Sequence, residues 1–131
     1  MSIAISSAPA EDPDTVRRLL TANLFDIFDQ HDAAARSASI ARIHHDDIVW
    51  YEPDRVLHGG EAMHKRAGEL LAEAPDFRFS VDGEAIVTQN LGVLNWNFGP
   101  PTDPSLVKGT DIILVEGGKV KALWTAVTKT P

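Results

Sequence analysis

The chain has 131 residues, enough for one domain with a substantial hydrophobic core. Its composition, 44% hydrophobic and 24% charged, is that of an ordinary globular protein, and a net charge of −7 disfavours nucleic acid or an anionic membrane surface as partner. No apolar run approaches the roughly 20 residues that span a bilayer, and the absence of cysteine rules out a disulfide framework or a thiolate nucleophile.

Residues 1–11, opening MSIAISSAPA, have neither the basic start nor the long apolar segment of a secretory signal. They read as a flexible tail, and the cytoplasm is the expected location. Residues 12–131 read as a single domain, with no repeat or low-complexity tract dividing them. Asp12-Pro13 is a helix start, with Asp12 as N-cap and proline at the first helical position. Behind it Val16, Leu19, Leu20, Leu24, Ile27 and Phe28 recur at helical spacing, and that helix should stop near DQHD. Ala33 to Ile43 is a second helix, with Ile40 and Ile43 as its core contacts.

The next stretch, HHDDIVWYEP from His44 to Pro53, looks at first like a metal cluster attached to a strand. Adjacent His44 and His45 do not share the i, i+4 helix face that two-histidine sites favour, so no metal is expected there. HHDD reads as a solvated helix-to-strand junction, and IVWYE as a strand ended by Pro53. HGGEAM opens a third helix, with Met63, Ala67, Leu70 and Leu71 on one side. From Phe77 the pattern is almost all strand: FRFSV, EAIVT, LGVLNWNF, TDIILV and KVKALWTAV, the last two joined by the hairpin signal EGGK. Helices first and a sheet afterwards make an α+β domain with an antiparallel sheet.

In KVKALWTAV both alternating sets are largely apolar: Ala122, Trp124 and Ala126 on one face, Leu123, Thr125 and Val127 on the other. A half-solvated strand would be polar on one side. Helices are expected on one face and a second subunit on the other, giving a homodimer through the sheet face; a loop of the same chain is the alternative cover.

Two carboxylates stand out. Glu52 shares a strand face with Ile48 and Trp50 by period-two alternation, so its carboxyl is partly desolvated and suited to acid/base work; an exposed strand-end glutamate is the plain alternative. Asp111 sits in GTDIILV, where an ionisable group enters an otherwise apolar run; a strand-edge aspartate capping the loop after Gly109 is its alternative.

The order of elements, with HHDDIVWYEP, RVLHGGEAM opening a helix and GTDIILVEGGKVKALW closing the sheet, resembles the nuclear transport factor 2-like superfamily. The SnoaL-like polyketide cyclase and ketosteroid isomerase branches are the nearest in pattern. The resemblance runs from Val16 to Val127 and implies a cone-shaped α+β barrel, its curved sheet wrapping helices around an apolar pocket. It implies the proton-shuttling position for Glu52, and for Asp111 either a protonated oxyanion donor or the acid/base group of the cyclases. The isomerases' second oxyanion donor, a tyrosine on the first helix, falls here at Leu24, and the chain's one tyrosine, Tyr51, is expected to face away.

The expected reaction is therefore proton transfer next to a carbonyl on an apolar substrate, of isomerase or aldol-cyclase type, with no metal or organic cofactor. Trp50, Leu123 and Val127 are the expected pocket walls, and Asn95 and Asn97 in NWNF are candidates to orient a polar group. His64 is a candidate because the third helix borders the pocket in that superfamily. A noncatalytic domain that binds an apolar small molecule and a dimeric assembly module are the other two readings.

Overall fold

The computed structural model describes residues 9–131. The expected tail falls mostly on residues 1–8, outside the described residues. Beside it the Asn90 amide donates to the Pro9 carbonyl at 3.0 Å, and the Gly118 N–H to Glu11 Oε1 at 3.1 Å.

Helix α1 spans Pro13–Ala22, and Asp12 caps it by accepting the Asp14 N–H at 2.8 Å. The chain then continues as a π-helical segment, Asn23–Phe28, whose wider turn sends Asn23, Leu24, Ile27 and Phe28 inward. Helix α2, Ala33–Ile43, is capped by Asp32, and α3 runs over Gly60–Glu73. The strands are β1 His44–Tyr51, β2 Val56–His58, β3 Arg78–Val81, β4 Ile86–Thr88, β5 Leu91–Gly99, β6 Val107–Glu116 and β7 Lys119–Lys129. At the β6–β7 hairpin Gly117 and Gly118 have φ of 58° and 76°, the left-handed pair that this turn requires and glycine adopts without strain.

The sheet order is β2-β1-β7-β6-β5-β3, with β4 also on β5. The α+β cone is as expected, with two corrections. The sheet is mixed, because β1 and β7 pair in parallel, and it stays open, with β2 at one end and β3 at the other. Parallel pairing is available to β1 and β7 because residues 52–118, about half of the chain, connect them. β3 and β4 share one side of β5 as an interrupted edge, and Gly83, at φ 82°, lies in the break.

The concave face carries the core. Ile48 and Trp50 of β1, Leu94 and Trp96 of β5, Ile113 and Val115 of β6, and Leu123 of β7 pack against Val16, Leu20, Leu24, Ile27 and Met63. α1 crosses the sheet at Gly92, where a Cβ would lie 2.8 Å from the Val16 and Leu20 side chains. At the end of the first helical stretch, Asp29 accepts the Phe79 N–H at 3.0 Å, tying it to β3; burial raises the Asp29 pKa.

HHDD is not the solvated junction expected. β1 begins at His44, whose side chain is buried against Asn23, while Asp46 and Asp47 face solvent. His45 points the other way and donates from Nε2 to the Glu116 carbonyl at 2.6 Å. Among the described residues no three His, Asp or Glu side chains group as metal ligands.

Candidate active site

A cavity of about 560 Å³ opens between the helices and the concave sheet face. Leu24 and Phe28 of the π-helical segment, Leu70 and Leu71 of α3, and Phe79, Phe98, Val107 and Val127 of the sheet make most of its wall. Phe28 meets the Trp50 ring edge-on at 4.9 Å, and Phe79 stacks on Phe98 at 4.2 Å, so the wall is rigid and aromatic. That volume and lining are those of a site for a mostly apolar small molecule.

Asp111 lies within β6 and is 4% exposed. Its Oδ1 accepts two hydrogen bonds, from Trp96 Nε1 at 3.0 Å and from the Thr125 hydroxyl at 3.1 Å. The Thr125 oxygen in turn accepts the Trp50 indole N–H at 3.0 Å. Cross-strand register builds this chain of contacts: Asp111 faces Thr125 on β7 and Leu94 on β5. Burial pushes the Asp111 carboxyl up from 3.8 to about 6, against the two hydrogen bonds that favour its charged form. Its Oδ2 has no hydrogen-bond partner among the described residues. A group poised near neutrality, with one free oxygen on a cavity, is equipped to carry a proton in either direction.

Glu52 follows the last residue of β1 and also lines the cavity, its side chain only 6% exposed. Arg66 of α3 donates from Nε to Glu52 Oε1 at 3.2 Å, and Arg55 approaches Oε2 at 3.6 Å. The period-two expectation for Glu52 holds, since Ile48, Trp50 and Glu52 all point inward. With a guanidinium near each oxygen, Glu52 is built into an ion-pair network, whereas Asp111 has no cation beside it among the described residues.

The remaining candidates divide. Trp50 and Val127 line the cavity. Leu123 does not, being fully buried in the core between Trp50 and Ile113. Asn95 and Asn97 alternate with Trp96 and Phe98, so the pleat turns them to the convex face. There Asn95 accepts from Thr110 at 2.6 Å, and Asn97 from Lys108 at 2.6 Å. His64 lies outside the cavity as well: its Nδ1 accepts from Arg36 Nε at 3.3 Å between α2 and α3. Arg66 is the residue that helical periodicity offers instead, three positions after Met63 and four before Leu70, on the face that looks into the cone.

Gly109 supports the floor. A Cβ there would collide with the six-membered ring of Trp96, whose indole holds Asp111. Gly109→Ala should therefore push Trp96 aside and cost about 1–3 kcal/mol, as overpacked cores do. Urea unfolding followed by tryptophan fluorescence would measure it. An unchanged midpoint and emission maximum would show that the floor is not packed in this way.

A curved sheet folded over helices, with an apolar cavity and a buried acid on its floor, is the cone architecture of nuclear transport factor 2-like proteins. Within that class the chain belongs to the SnoaL-like domain family, whose model matches residues 10–123. Solved structures agree on the fold. One, named as an isomerase of the SnoaL-like family from Agrobacterium tumefaciens, superposes with a TM-score of 0.80 at 14% identity, covering 87% of this chain and 97% of its own. One named as a SnoaL-like polyketide cyclase from Jannaschia gives 0.72 at 9% identity, covering 97% and 92%. A de novo designed protein with a curved β-sheet gives 0.71 at 14% identity, covering 89% and 88%, so the architecture exists without any evolved activity. A search of curated proteins finds no match. No helix among the described residues is long and apolar enough to cross a membrane.

Proposed function

We propose that this protein moves a proton at the carbon next to a carbonyl of an apolar substrate, in an isomerisation or an intramolecular aldol closure, with Asp111 as the acid/base group. The observation that carries this reading is the free Asp111 Oδ2 on an aromatic cavity, on a carboxyl raised to about 6. In the forward step the C–H pair becomes the enolate double bond, the carbonyl π pair moves onto oxygen, and the proton passes to Asp111. The proton then returns to a different carbon, or the enolate carbon bonds a second carbonyl and Asp111 protonates the new alkoxide. Glu52 enters as a positioning residue through Arg66, which it holds at the cavity wall. The names carried by the structural neighbours, isomerase and polyketide cyclase, favour the same chemistry. The test is deuterium exchange into aryl ketones in heavy water. Wild type should catalyse it and Asp111→Asn should not. Binding without exchange in the wild type would leave a carrier of apolar ligands instead.

The proposal includes a homodimer and a cytoplasmic setting, the latter on the cysteine-free composition. Support for the dimer lies on the convex face, where cross-strand register aligns Ile86, Val93, Ile112, Trp124, Tyr51 and Val56 in one row. Six strands at about 4.8 Å spacing make that row about 24 Å long. Tyr51 and Trp124 stack at 5.1 Å, and Ile86 and Val56 are 63% and 48% exposed. Such a patch is costly in water and fits a second copy of itself. Trp124→Glu should convert a dimer to a monomer in light scattering coupled to size exclusion; a monomeric wild type would remove the idea.

A further inference from the structure

Among the described residues the cavity's hydrogen-bond donors are nearly all committed, with two exceptions. The Trp50 indole donates to Thr125, while the Thr125 hydroxyl and the Trp96 indole donate to Asp111. Leu24, on the first helical stretch, has nothing to donate. A guanidinium carries five N–H groups. Arg66 donates with Nε to Glu52, and its Nη1 lies 3.9 Å from Glu69, beyond hydrogen-bond distance. Among the described residues lining the cavity, Arg66 therefore holds the largest reserve of free donors. The other is the hydroxyl of Thr130 on the exposed C-terminal end. Arg66 is itself 19% exposed, and its Nε is engaged by Glu52, 6% exposed.

We propose that Arg66 is the oxyanion-binding residue of the site: its free N–H groups take the carbonyl oxygen of an uncharged, mostly apolar ketone. The inference rests on the carbonyl reading above. Charge selects a neutral carbonyl over a carboxylate. Two guanidinium groups, Arg55 and Arg66, face three carboxylates, Glu52, Asp54 and Glu69, before Asp111 is counted. A bound carboxylate would add to a surplus of negative charge. A ketone arrives neutral and becomes negative only as Asp111 removes its proton, so Arg66 binds the transition state more strongly than the ground state. Glu52 prevents the guanidinium from turning out to solvent.

The probes are 2-acetylnaphthalene and 2-ethylnaphthalene, alike in shape except for the oxygen. Wild type should bind the ketone at least about tenfold more tightly, the value of a hydrogen bond from a charged donor. Arg66→Met should reduce that preference below about threefold, whereas Asp111→Asn should keep it. Arg66→Met also deprives buried Glu52 of a partner, so Arg66→Lys, which keeps the charge and loses the planar fork, serves where the first variant fails to fold. The infrared stretch of a carbonyl-labelled ketone reads the contact directly: it should fall on binding to wild type and fall less in Arg66→Lys, whose ammonium keeps the charge but lacks the planar fork. Equal affinity for the two probes, no affinity for the ketone, or an unshifted stretch would overturn the proposal. Exchange lost in Asp111→Asn with the ketone preference intact in Arg66→Met would overturn it while sparing Asp111. A wild type without exchange, but with an Arg66-dependent preference, would instead overturn the catalytic reading and keep Arg66 as a ligand-binding residue.

Discussion

Asp111→Asn is expected to abolish α-proton exchange and, at the same time, to make the protein more stable at pH 8. The folded pKa of Asp111 lies at about 6 against an ordinary 3.8, because burial penalises its charge. Between those values the folded state holds a proton that the unfolded chain has released, so stability falls as pH rises through the window and stays lost above it. The full difference corresponds to about 3 kcal/mol, an upper bound once water reaches the carboxylate from the cavity. Asparagine has nearly the same shape, and its oxygen still accepts from Trp96 and Thr125. It carries no charge to desolvate. The variant should gain about 1–3 kcal/mol at pH 8 and only about 0.5 kcal/mol near pH 4, where the folded carboxyl is neutral and the unfolded one about half ionised. Urea unfolding of both proteins at the two pH values measures this directly, since contributions from other groups cancel in the difference. A variant less stable than wild type at pH 8 would mean that the carboxylate is solvated or paired, and its candidacy as proton carrier would go with it. Stability given up at one buried acid is what a site poised for proton transfer requires.

Asp111 was legible in the sequence because an ionisable residue inside GTDIILV violates the pattern around it, and such violations concentrate at functional positions. Glu52 was legible through period-two alternation. What alternation could not provide was the sign of the NWNF strand: one register step exchanges Asn95 and Asn97 for Trp96 and Phe98 on the cavity side. Leu123 shares a face with Thr125 and Val127, yet it sits deeper in the cone, and depth along a strand depends on where the helices end. Arg66 escaped because an arginine on an apolar helix face reads as a solvated side chain until its buried partner, 14 residues earlier, is known. The parallel β1–β7 pair escaped for a related reason: strand adjacency across the whole domain leaves no local mark.

His44 is the clearest case of chemistry hidden by context, and it carries the second large effect. The residue is 1% exposed, and Nε2 donates to Asn23 Oδ1 at 2.7 Å, which leaves Nδ1 and the Asn23 amide nitrogen buried without partners among the described residues. Burial lowers the His44 pKa from 6.5 to about 4. The folded state keeps the ring neutral while the unfolded chain takes up a proton below 6.5. The stabilisation is thus complete above 6.5 and is lost as pH falls to about 4, a change of about 3 kcal/mol at most. Either single substitution, His44→Leu or Asn23→Leu, strands one polar partner in the core and should cost about 2 kcal/mol or more at pH 7.5. Replacing both removes the orphaned atoms together, so the double variant should lose less than the sum of the singles. Without the histidine it should also lack the acid loss and gain on wild type by about 2 kcal/mol between pH 7.5 and 4.5. Urea unfolding at those two pH values closes the cycle. An unchanged difference between double variant and wild type would mean that His44 titrates as it does in the unfolded chain. Because Leu24 and Phe28 share the π-helical segment with Asn23 and line the cavity, the same titration should weaken naphthyl-ketone binding on the acid side, ahead of global unfolding.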